Sequence, residues 1–233
     1  VITDAEGALK VEQVANECPT LRLKILLGAD RQGWVSYTRA VASARSTLTP
    51  EPTRSDESMM IYFTSGTVGY PKMVLHTHVS YPLGHIVTGK YWLDLKPTDL
   101  LWNLSDTGWA KAAYSNLFGP WSMGAAMFTF DGRGRFDPQQ TLELLERYPI
   151  STFCAPPTAY RLLVLENLGH YHLAALRHCI GAGEPLNPEV IEAWQRGTGQ
   201  IIRDGYGQTE TVILVANFPS LPVRPGSMGK PSP

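Results

Sequence analysis

Short apolar runs alternate with stretches of helical periodicity over most of the chain. The strand-length apolar runs lie at 59–63, 100–104, 125–130, 150–155, 179–182, 201–202 and 212–215. Helical spacing or a helix-start pattern is found at 76–91, 109–118, 137–145, 158–165 and 187–194. Strands that alternate with helices are typical of parallel sheets whose faces are covered by those helices. The pattern therefore predicts an α/β fold with mostly parallel sheets.

The beginning of the chain is less regular. It contains a short helix candidate at 11–17, an apolar run at 21–27 and a second helix candidate at about 34–44. Residues 47–58 hold two prolines and many polar side chains, and this composition predicts a loop before the strand at 59–63.

Ligands of open parallel sheets bind beyond the carboxyl ends of the strands. The loops that follow Phe63, Ala155, Ile180 and Ile202 are therefore the candidate functional loops. We expect them to lie at one edge of the sheet.

The first candidate loop combines glycines, hydroxyls and a lysine. It reads Thr64, Ser65, Gly66, Thr67, Val68, Gly69, Tyr70, Pro71 and Lys72. Glycine accepts the positive φ that an anion-binding turn of backbone N–H groups requires. Hydroxyls add neutral donors and a lysine adds a mobile charge. The loop predicts a polyphosphate site, although an ordinary Gly/Ser linker is the alternative.

The second candidate loop follows the run at 201–202. It reads Asp204, Gly205, Tyr206, Gly207, Gln208, Thr209 and Glu210. We expect its two glycines to hold a tight turn that presents the Tyr206 ring to a planar ligand. The hydroxyl of Thr209 and the carboxylate of Glu210 suit a phosphate and a Mg²⁺ ion, since Mg²⁺ prefers oxygen ligands. The alternative is a plain turn with a surface glutamate.

Composition excludes several classes of function. The net charge is −1 and charged residues make up 18% of the 233 residues, so nucleic acid is not an expected partner. Three widely spaced cysteines fit reduced thiols in an intracellular protein. No apolar run approaches the ~20 residues of a membrane helix, so no integral membrane segment is expected. The pairs His76/His78 and His170/His172 lack further ligands at zinc-like spacing and are interpreted as solvent-facing or helix-start residues.

The first candidate loop and the strand before it resemble the phosphate-binding signature of the acyl-adenylate-forming enzymes. The string is Tyr-Phe-Thr-Ser-Gly-Thr-x-Gly-x-Pro-Lys, ending at Lys72. Val68 departs from the family, which usually has Thr or Ser at that position, and this removes one hydroxyl from the loop. Residues 204–210 resemble the family's second signature. The resemblance implies that Tyr206 stacks on adenine, that Thr209 approaches the α-phosphate, and that Glu210 helps to hold Mg²⁺.

Further segments narrow the resemblance. Residues 181–186 (Gly-Ala-Gly-Glu-Pro-Leu) are similar to a family segment that lines the adenine and acyl pocket, and 155–161 to one beside the carboxylate substrate. The string Ser-Asp-x-Gly-Trp ending at Trp109, together with Glu-Cys-Pro-Thr-Leu at 17–21, is most similar to the medium-chain acyl-CoA synthetases. Trp109 would then contact the acyl chain, although a core position is the alternative.

The resemblance implies a complete set of site residues. Lys72, Thr209 and Glu210 would be catalytic, and Glu210 would also bind the metal. The nucleotide would be bound by the loop 64–72, by Gly183, Glu184 and Pro185, and by residues 204–209. The acyl pocket would include Trp109, Thr158 and Gly181.

The implied activity is that of an AMP-forming acid–CoA ligase. ATP and a medium-chain or aromatic carboxylic acid would give an acyl-adenylate and pyrophosphate, and coenzyme A would then displace AMP. Residues 1–233 would be the central portion of the large AMP-binding domain, without the small C-terminal domain, and we expect the chain to be a fragment. A non-catalytic ATP- or AMP-binding module is the alternative. The location would be intracellular: cytoplasmic in a bacterium, or the mitochondrial matrix in a eukaryote.

Overall fold

The computed structural model describes residues 1–64, 69–105, 109–132 and 134–233. The chain divides into two compact units, Val1–Pro52 and Thr53–Pro233. Each unit has its own strands and its own buried residues, so the two are described in turn.

The first unit is a small α/β element. Its strands β1 (Ile2–Thr3), β2 (Ile25–Leu26) and β3 (Val35–Ser36) form a parallel three-stranded sheet, and its helices are α1 (Ala5–Val14) and α2 (Tyr37–Ser43). Helix α1 begins before the predicted 11–17, because Asp4 accepts a hydrogen bond from the backbone N–H of Gly7 at 2.9 Å and caps the helix.

The second unit holds the remaining described strands. They are β4 (Ser58–Thr64), β5 (Lys72–Thr77), β6 (Leu100–Asn103), β7 (Ala126–Met127), β8 (Thr152–Ala155), β9 (His178–Ala182), β10 (Ile202–Gly207), β11 (Ile213–Ala216) and β12 (Lys230–Pro231). Its α-helices are α3 (Ser80–Val87), α4 (Ala110–Ala113), α5 (Gly119–Ser122), α6 (Pro138–Arg147), α7 (Pro157–Leu163) and α8 (Pro188–Thr198). Thr88–Trp92 and Tyr114–Phe118 form π-helical turns.

The main sheet of this unit confirms the predicted fold class. In the described part of the chain its strand order is β12-β11-β10-β9-β8-β6-β7. The pairs from β10 through β9, β8 and β6 to β7 are parallel, whereas β11 and β12 continue antiparallel at one side. The predicted strand at 125–130 is shortened to β7.

Both faces of the central strands are buried. In β8, Phe153 packs into the core beneath α6, α7 and α8, and the next residue, Cys154, packs into the core on the opposite face. Successive side chains of a strand point to opposite faces. A strand with both faces covered therefore reads as a continuous apolar run, as the sequence at 150–155 does.

Helix α6 begins where the sequence predicts it. The carboxylate of Asp137 accepts a hydrogen bond from the backbone N–H of Gln140 at 3.1 Å, and Pro138 occupies the first turn. Leu142 and Leu145 of this helix are fully buried.

Strand β4 lies outside the parallel sheet, which corrects one expectation. It pairs antiparallel with β5 in a two-stranded hairpin. Only residues 65–71 join the two strands. A parallel neighbour requires a crossover of about a dozen residues or more, so this short connection permits only the antiparallel partner.

The helix predicted from residue 76 begins later. Residues Lys72–Thr77 are strand β5, and α3 starts at Ser80. Thr77 and Ser80 exchange hydrogen bonds, with the Thr77 backbone N–H donating to Ser80 Oγ at 3.0 Å and the Ser80 N–H donating to Thr77 Oγ1 at 3.1 Å. This exchange fixes the change from strand to helix.

The prediction of a tight turn at 204–207 is wrong. These residues end strand β10, and neither Gly205 nor Gly207 has a positive φ. A Cβ on Gly205 would lie 2.7 Å from Trp92 Cζ2, and one on Gly207 would meet the backbone of Val212. The glycines are therefore required by close packing rather than by turn geometry.

Among the described helices, none combines the length and apolar character that crossing a membrane requires.

Candidate functional site

A cavity of about 410 Å³ opens at the carboxyl edge of the parallel strands. Its wall includes residues that follow β6, β8, β9 and β10, among them Ser105, Thr158, Gly183, Glu184, Gln208 and Thr209. The cavity thus lies where parallel sheets place their ligands. Three of the four candidate loops meet there, and the fourth belongs to the hairpin.

Trp109 forms part of the cavity wall and is not a core residue. Its side chain is 63% exposed although it is large and apolar. Residues 106–108 of the same string lie outside the described residues. The position is compatible with the predicted contact to an acyl chain.

The second candidate loop, residues 204–210 (the second motif), is divided between the cavity wall and the sheet. Gly207, Gln208 and Thr209 line the cavity, whereas Asp204 and Gly205 are buried in β10. The turn beyond them is fixed by Thr211, whose hydroxyl accepts a hydrogen bond from the Gln208 backbone N–H at 3.0 Å.

Tyr206 and Glu210 face solvent at the edge of the same motif. Tyr206 is 40% exposed at the end of β10. Glu210 carries an exposed carboxylate directly after Thr209. Neither residue is part of the cavity wall.

Asp204 has an unusual carboxyl group. Burial raises its pKa to about 6, because a charged carboxylate loses hydration. The backbone N–H of Gly205 donates to Asp204 Oδ1 at 2.8 Å, and this bond and the charge of Lys111 act in the opposite direction.

The first candidate loop, residues 64–72 (the first motif), connects the two strands of the hairpin. Thr64 is the last residue of β4 and lies opposite Lys72, the first residue of β5. Gly69 has φ 87°, a conformation that favours glycine. Tyr70 and Pro71 are exposed next to it. The predicted phosphate-binding residues 65–68, Val68 included, lie outside the described residues.

A buried histidine connects the hairpin to the second motif. His76 Nε2 lies 2.7 Å from the carbonyl oxygen of Thr209, and the residue is only 7% exposed. The interpretation of His76 as solvent-facing or at a helix start is therefore wrong. Alternation with a period of two residues along β5 could have predicted its burial, since Val74 and His76 share the more buried face of the hairpin.

The segment after β9 is held by an arginine. Arg161 of α7 pairs with the carboxylate of Glu184 at 3.2 Å and donates to the carbonyl of Pro185 at 2.8 Å. Gly183 has φ 105° at the start of this turn. Glu184 also accepts a hydrogen bond from Thr158 at 3.4 Å, so the loops after β8 and β9 are joined.

Gly181 lies below the cavity rather than in its wall. A Cβ at Gly181 would point between Ile202 and Leu186, which belong to the core. Its neighbour Ala182 lines the cavity.

Lys111 is a cavity residue that the sequence reasoning missed. It follows Trp109 by two residues, lines the cavity and is 8% exposed. Its Nζ donates to the carbonyl of Ala182 at 3.1 Å. A lysine is an inconspicuous residue on a short helix, and no periodic signal marked it.

The described residues contain no group of three or more His, Cys, Asp or Glu side chains that could hold a metal ion. Mg²⁺ is commonly bound by one or two carboxylates together with substrate phosphates and water. The exposed carboxylate of Glu210, directly after the cavity residue Thr209, is a donor of the kind that such an ion accepts.

The chain belongs to the AMP-binding enzyme family, whose model matches residues 1–233. It is 47% identical over 234 residues to the Homo sapiens protein named acyl-coenzyme A synthetase ACSM3, mitochondrial, covering 100% of this chain and 40% of the relative. It is 45% identical over 231 residues to Homo sapiens acyl-coenzyme A synthetase ACSM4, mitochondrial, covering 99% of this chain and 40% of that protein. The chain thus spans about 40% of the length of the curated relatives it matches.

Solved structures show the same fold. The anthranilate CoA ligase AuaEII, crystallised with anthranoyl-AMP, superposes with a TM-score of 0.90 at 30% identity, covering 99% of this chain and 45% of that one. An acyl-CoA synthetase from Brucella canis superposes with a TM-score of 0.87 at 32% identity, covering 100% of this chain and 43% of that one. The fold class predicted by the resemblance, that of the large domain of adenylate-forming enzymes, is confirmed.

Proposed function

We propose that this chain carries the nucleotide- and acid-binding part of an AMP-forming acid–CoA ligase. In the first half-reaction a carboxylate oxygen attacks the α-phosphorus of ATP, an acyl-adenylate forms and pyrophosphate leaves. In the second, the thiol of coenzyme A attacks the acyl carbon and AMP leaves. The substrate would be a medium-chain or aromatic carboxylic acid.

The observation that carries the proposal is the convergence of the loops on one cavity. Trp109, Thr158, Glu184 and Thr209 come from four separate segments and line the same space. Enzymes that join two substrates gain chiefly by holding them in the reactive geometry, an effect worth up to ~7–11 kcal/mol. A single cavity that binds the acid next to the nucleotide would hold the two substrates in that geometry.

Each motif residue then has a role. Lys72 and the backbone of the loop 64–72 would hold the β- and γ-phosphates, and Thr209 would guide the α-phosphate. Tyr206 would stack on adenine, with Gly183, Glu184, Pro185, Gly207 and Gln208 completing the nucleotide site. Trp109 and Thr158 would shape the acyl pocket.

Mg²⁺ would be held by Glu210 and the phosphates, and it would neutralise charge on the leaving pyrophosphate. The relatives are named mitochondrial. We therefore place the protein inside the cell, in the mitochondrial matrix if its source is a eukaryote. Residues 1–233 would form the central portion of the large AMP-binding domain, and the small C-terminal domain would lie outside this chain.

Carboxylate-dependent exchange of pyrophosphate into ATP tests the proposal. It should be measured on this chain and on a version extended at both ends to the length of its relatives, with acids from acetate to dodecanoate and with benzoate. We expect exchange by the extended protein with at least one acid. ATP binding without exchange for every acid would instead support the non-catalytic module.

A matched pair of variants separates the phosphate site from general effects of charge. Lys72→Met should lower kcat/KM for ATP by about 10- to 100-fold, since a hydrogen bond to a charged group contributes about 1.5–3 kcal/mol. Lys96→Met removes an exposed lysine distant from the motifs in sequence and should leave kcat/KM unchanged. Equal losses in both variants would contradict the role of Lys72.

A further inference from the structure

One arginine contacts three residues of the segment that joins β9 to α8. Arg161, on α7, pairs through Nη1 with Glu184 Oε2 at 3.2 Å. Its Nη2 donates to the carbonyl oxygen of Pro185 at 2.8 Å and to Asn187 Oδ1 at 3.4 Å. A guanidinium carries its donors in a fixed planar arrangement, so one side chain can hold all three acceptors in a set geometry.

The segment has little other hydrogen-bonded support. Residues 183–187 lie between the end of β9 and the start of α8 and form no regular structure. Among the backbone–backbone hydrogen bonds of the described turns and loops, none involves residues 183–186. Leu186 is buried in the core and anchors the far part of the segment. Arg161 therefore supplies most of the hydrogen bonds that hold Glu184 and Pro185 in the described part of the chain.

Arg161 supports the cavity wall without being part of it. Gly183 and Glu184 line the cavity, whereas Arg161 does not. Thr158, which also lines the cavity, donates to the other carboxylate oxygen of Glu184 at 3.4 Å. Both oxygens of this carboxylate thus have donors, and Glu184 brings a paired rather than a free negative charge to the wall.

The ion pair contributes more to the geometry of the wall than to the stability of the fold. The side chains of Arg161 and Glu184 are each 38% exposed, and ion pairs that water reaches contribute little to stability. Water can replace the hydrogen bonds of Arg161, but it does not hold the segment in one conformation. It also leaves the carboxylate of Glu184 without its countercharge, and an anionic ligand of the cavity is then repelled.

We propose that Arg161 is a positioning residue for ATP. It holds Gly183, Glu184 and Pro185 in the conformation that meets the nucleotide, and it keeps the carboxylate of Glu184 from repelling the phosphates. This inference rests on the proposed ligase function, in which these three residues form part of the nucleotide site. Because Arg161 acts only through them, its loss weakens ATP binding and leaves the chemical step intact.

Direct binding of ATP to the protein extended to the length of its relatives tests this role, with equilibrium dialysis as the measurement. Arg161→Met should raise the Kd for ATP about 3- to 10-fold, the effect of losing one partly exposed hydrogen bond. In pyrophosphate exchange the KM for ATP should rise by the same factor while kcat stays within about twofold, as loss of uniform binding requires. Arg196→Met is the matched control, because it removes an exposed arginine of α8 that pairs with Glu192 at 3.9 Å, and it should change neither constant.

A second substitution separates the charge of Glu184 from general damage to the loop. In Arg161→Met the carboxylate of Glu184 has lost its countercharge, so the double variant Arg161→Met/Glu184→Gln should bind ATP at least about twofold more tightly than Arg161→Met, since the effects of residues in contact are not additive. Arg161→Lys keeps a cation but lacks the planar fork, and its Kd should lie between those of the parent and Arg161→Met.

Every result bears on the assignment. A Kd for ATP equal to that of the parent in a folded Arg161→Met protein, judged by circular dichroism, overturns it, and so does an equal rise in Arg196→Met. A double variant that binds ATP no better than Arg161→Met also overturns it. If Arg161→Met does not fold, Arg161→Lys decides, because a Kd equal to that of the parent contradicts the need for the planar guanidinium. Failure of the ligase function looks different, since the parent then binds ATP without exchange for any acid, and a parent that binds no ATP overturns both proposals.

Discussion

The hydrogen bond between His76 and Thr209 is the contact through which the hairpin meets the second motif. A carbonyl oxygen only accepts, so Nε2 of His76 must carry the proton that lies between them. The ring is fixed by aromatic neighbours, with its centroid 4.6 Å from that of Tyr81 and 6.2 Å from that of Tyr62. We therefore expect His76→Leu to remove the donor without changing the fold of the hairpin.

The cost can be worked from the contact. Removing one partner of a buried hydrogen bond leaves the other unsatisfied and costs about 1–3 kcal/mol. Thr209 is only half-buried, so water can replace part of the bond and the lower half of that range applies. If the contact also positions Thr209 for the α-phosphate, kcat/KM for ATP should fall by about 5- to 30-fold, since 1.4 kcal/mol is a factor of ten.

Two measurements on the extended protein separate positioning from stability. Hydrogen exchange should speed up in β5 and at 208–211 in His76→Leu, and pyrophosphate exchange should slow down. His76→Gln keeps an N–H donor and should recover most of the activity. His172→Leu, at an exposed site, is the control. Faster hydrogen exchange with an unchanged kcat/KM, or failure of the glutamine variant to recover activity, would refute the positioning argument.

Three further predictions concern the second motif and the sheet. Gly205→Ala should lower the free energy of unfolding by about 1–3 kcal/mol in urea titrations, because its Cβ would lie 2.7 Å from the fully buried ring of Trp92. The raised pKa of Asp204 makes the fold bind more protons than the unfolded chain between pH 3.8 and about 6, so stability falls as pH rises through that window. Asp204→Asn should remove this part of the pH dependence, and equal slopes for both proteins would contradict it. Asp137→Ala should cost about 1 kcal/mol by removing the cap of α6, with the thermal midpoint as the measurement.

The parallel sheet was predictable because its strands are buried on both faces. Phe153 and Cys154 point to opposite cores, so the sequence shows an unbroken apolar run that only a covered strand tolerates. The start of α6 was equally clear, since Asp137 and Pro138 act through local geometry. Signals of this kind depend on neighbours along the chain, and one sequence contains them completely.

Two predictions were wrong because apolar and glycine patterns do not show which residues a segment will contact. Gly205 is glycine because the ring of Trp92 lies against the strand, and that ring comes from a segment more than a hundred residues earlier. Strand β4 has the composition of a strand in either kind of sheet, and only the short connection to β5 excludes a parallel partner. Glycine content alone cannot distinguish a turn from a close approach, so the predicted turn at 204–207 was wrong.

The site residues also differ in how well the sequence predicts them. The loop residues, such as Thr158, Glu184 and Thr209, stand in strings of glycine, proline and polar residues that follow a strand, and this made them recognisable. Two buried residues close to these loops do not stand in such strings. Lys111 lies on a short helix and His76 within a strand, and each is identified only by a partner far away in sequence, at Ala182 and Thr209.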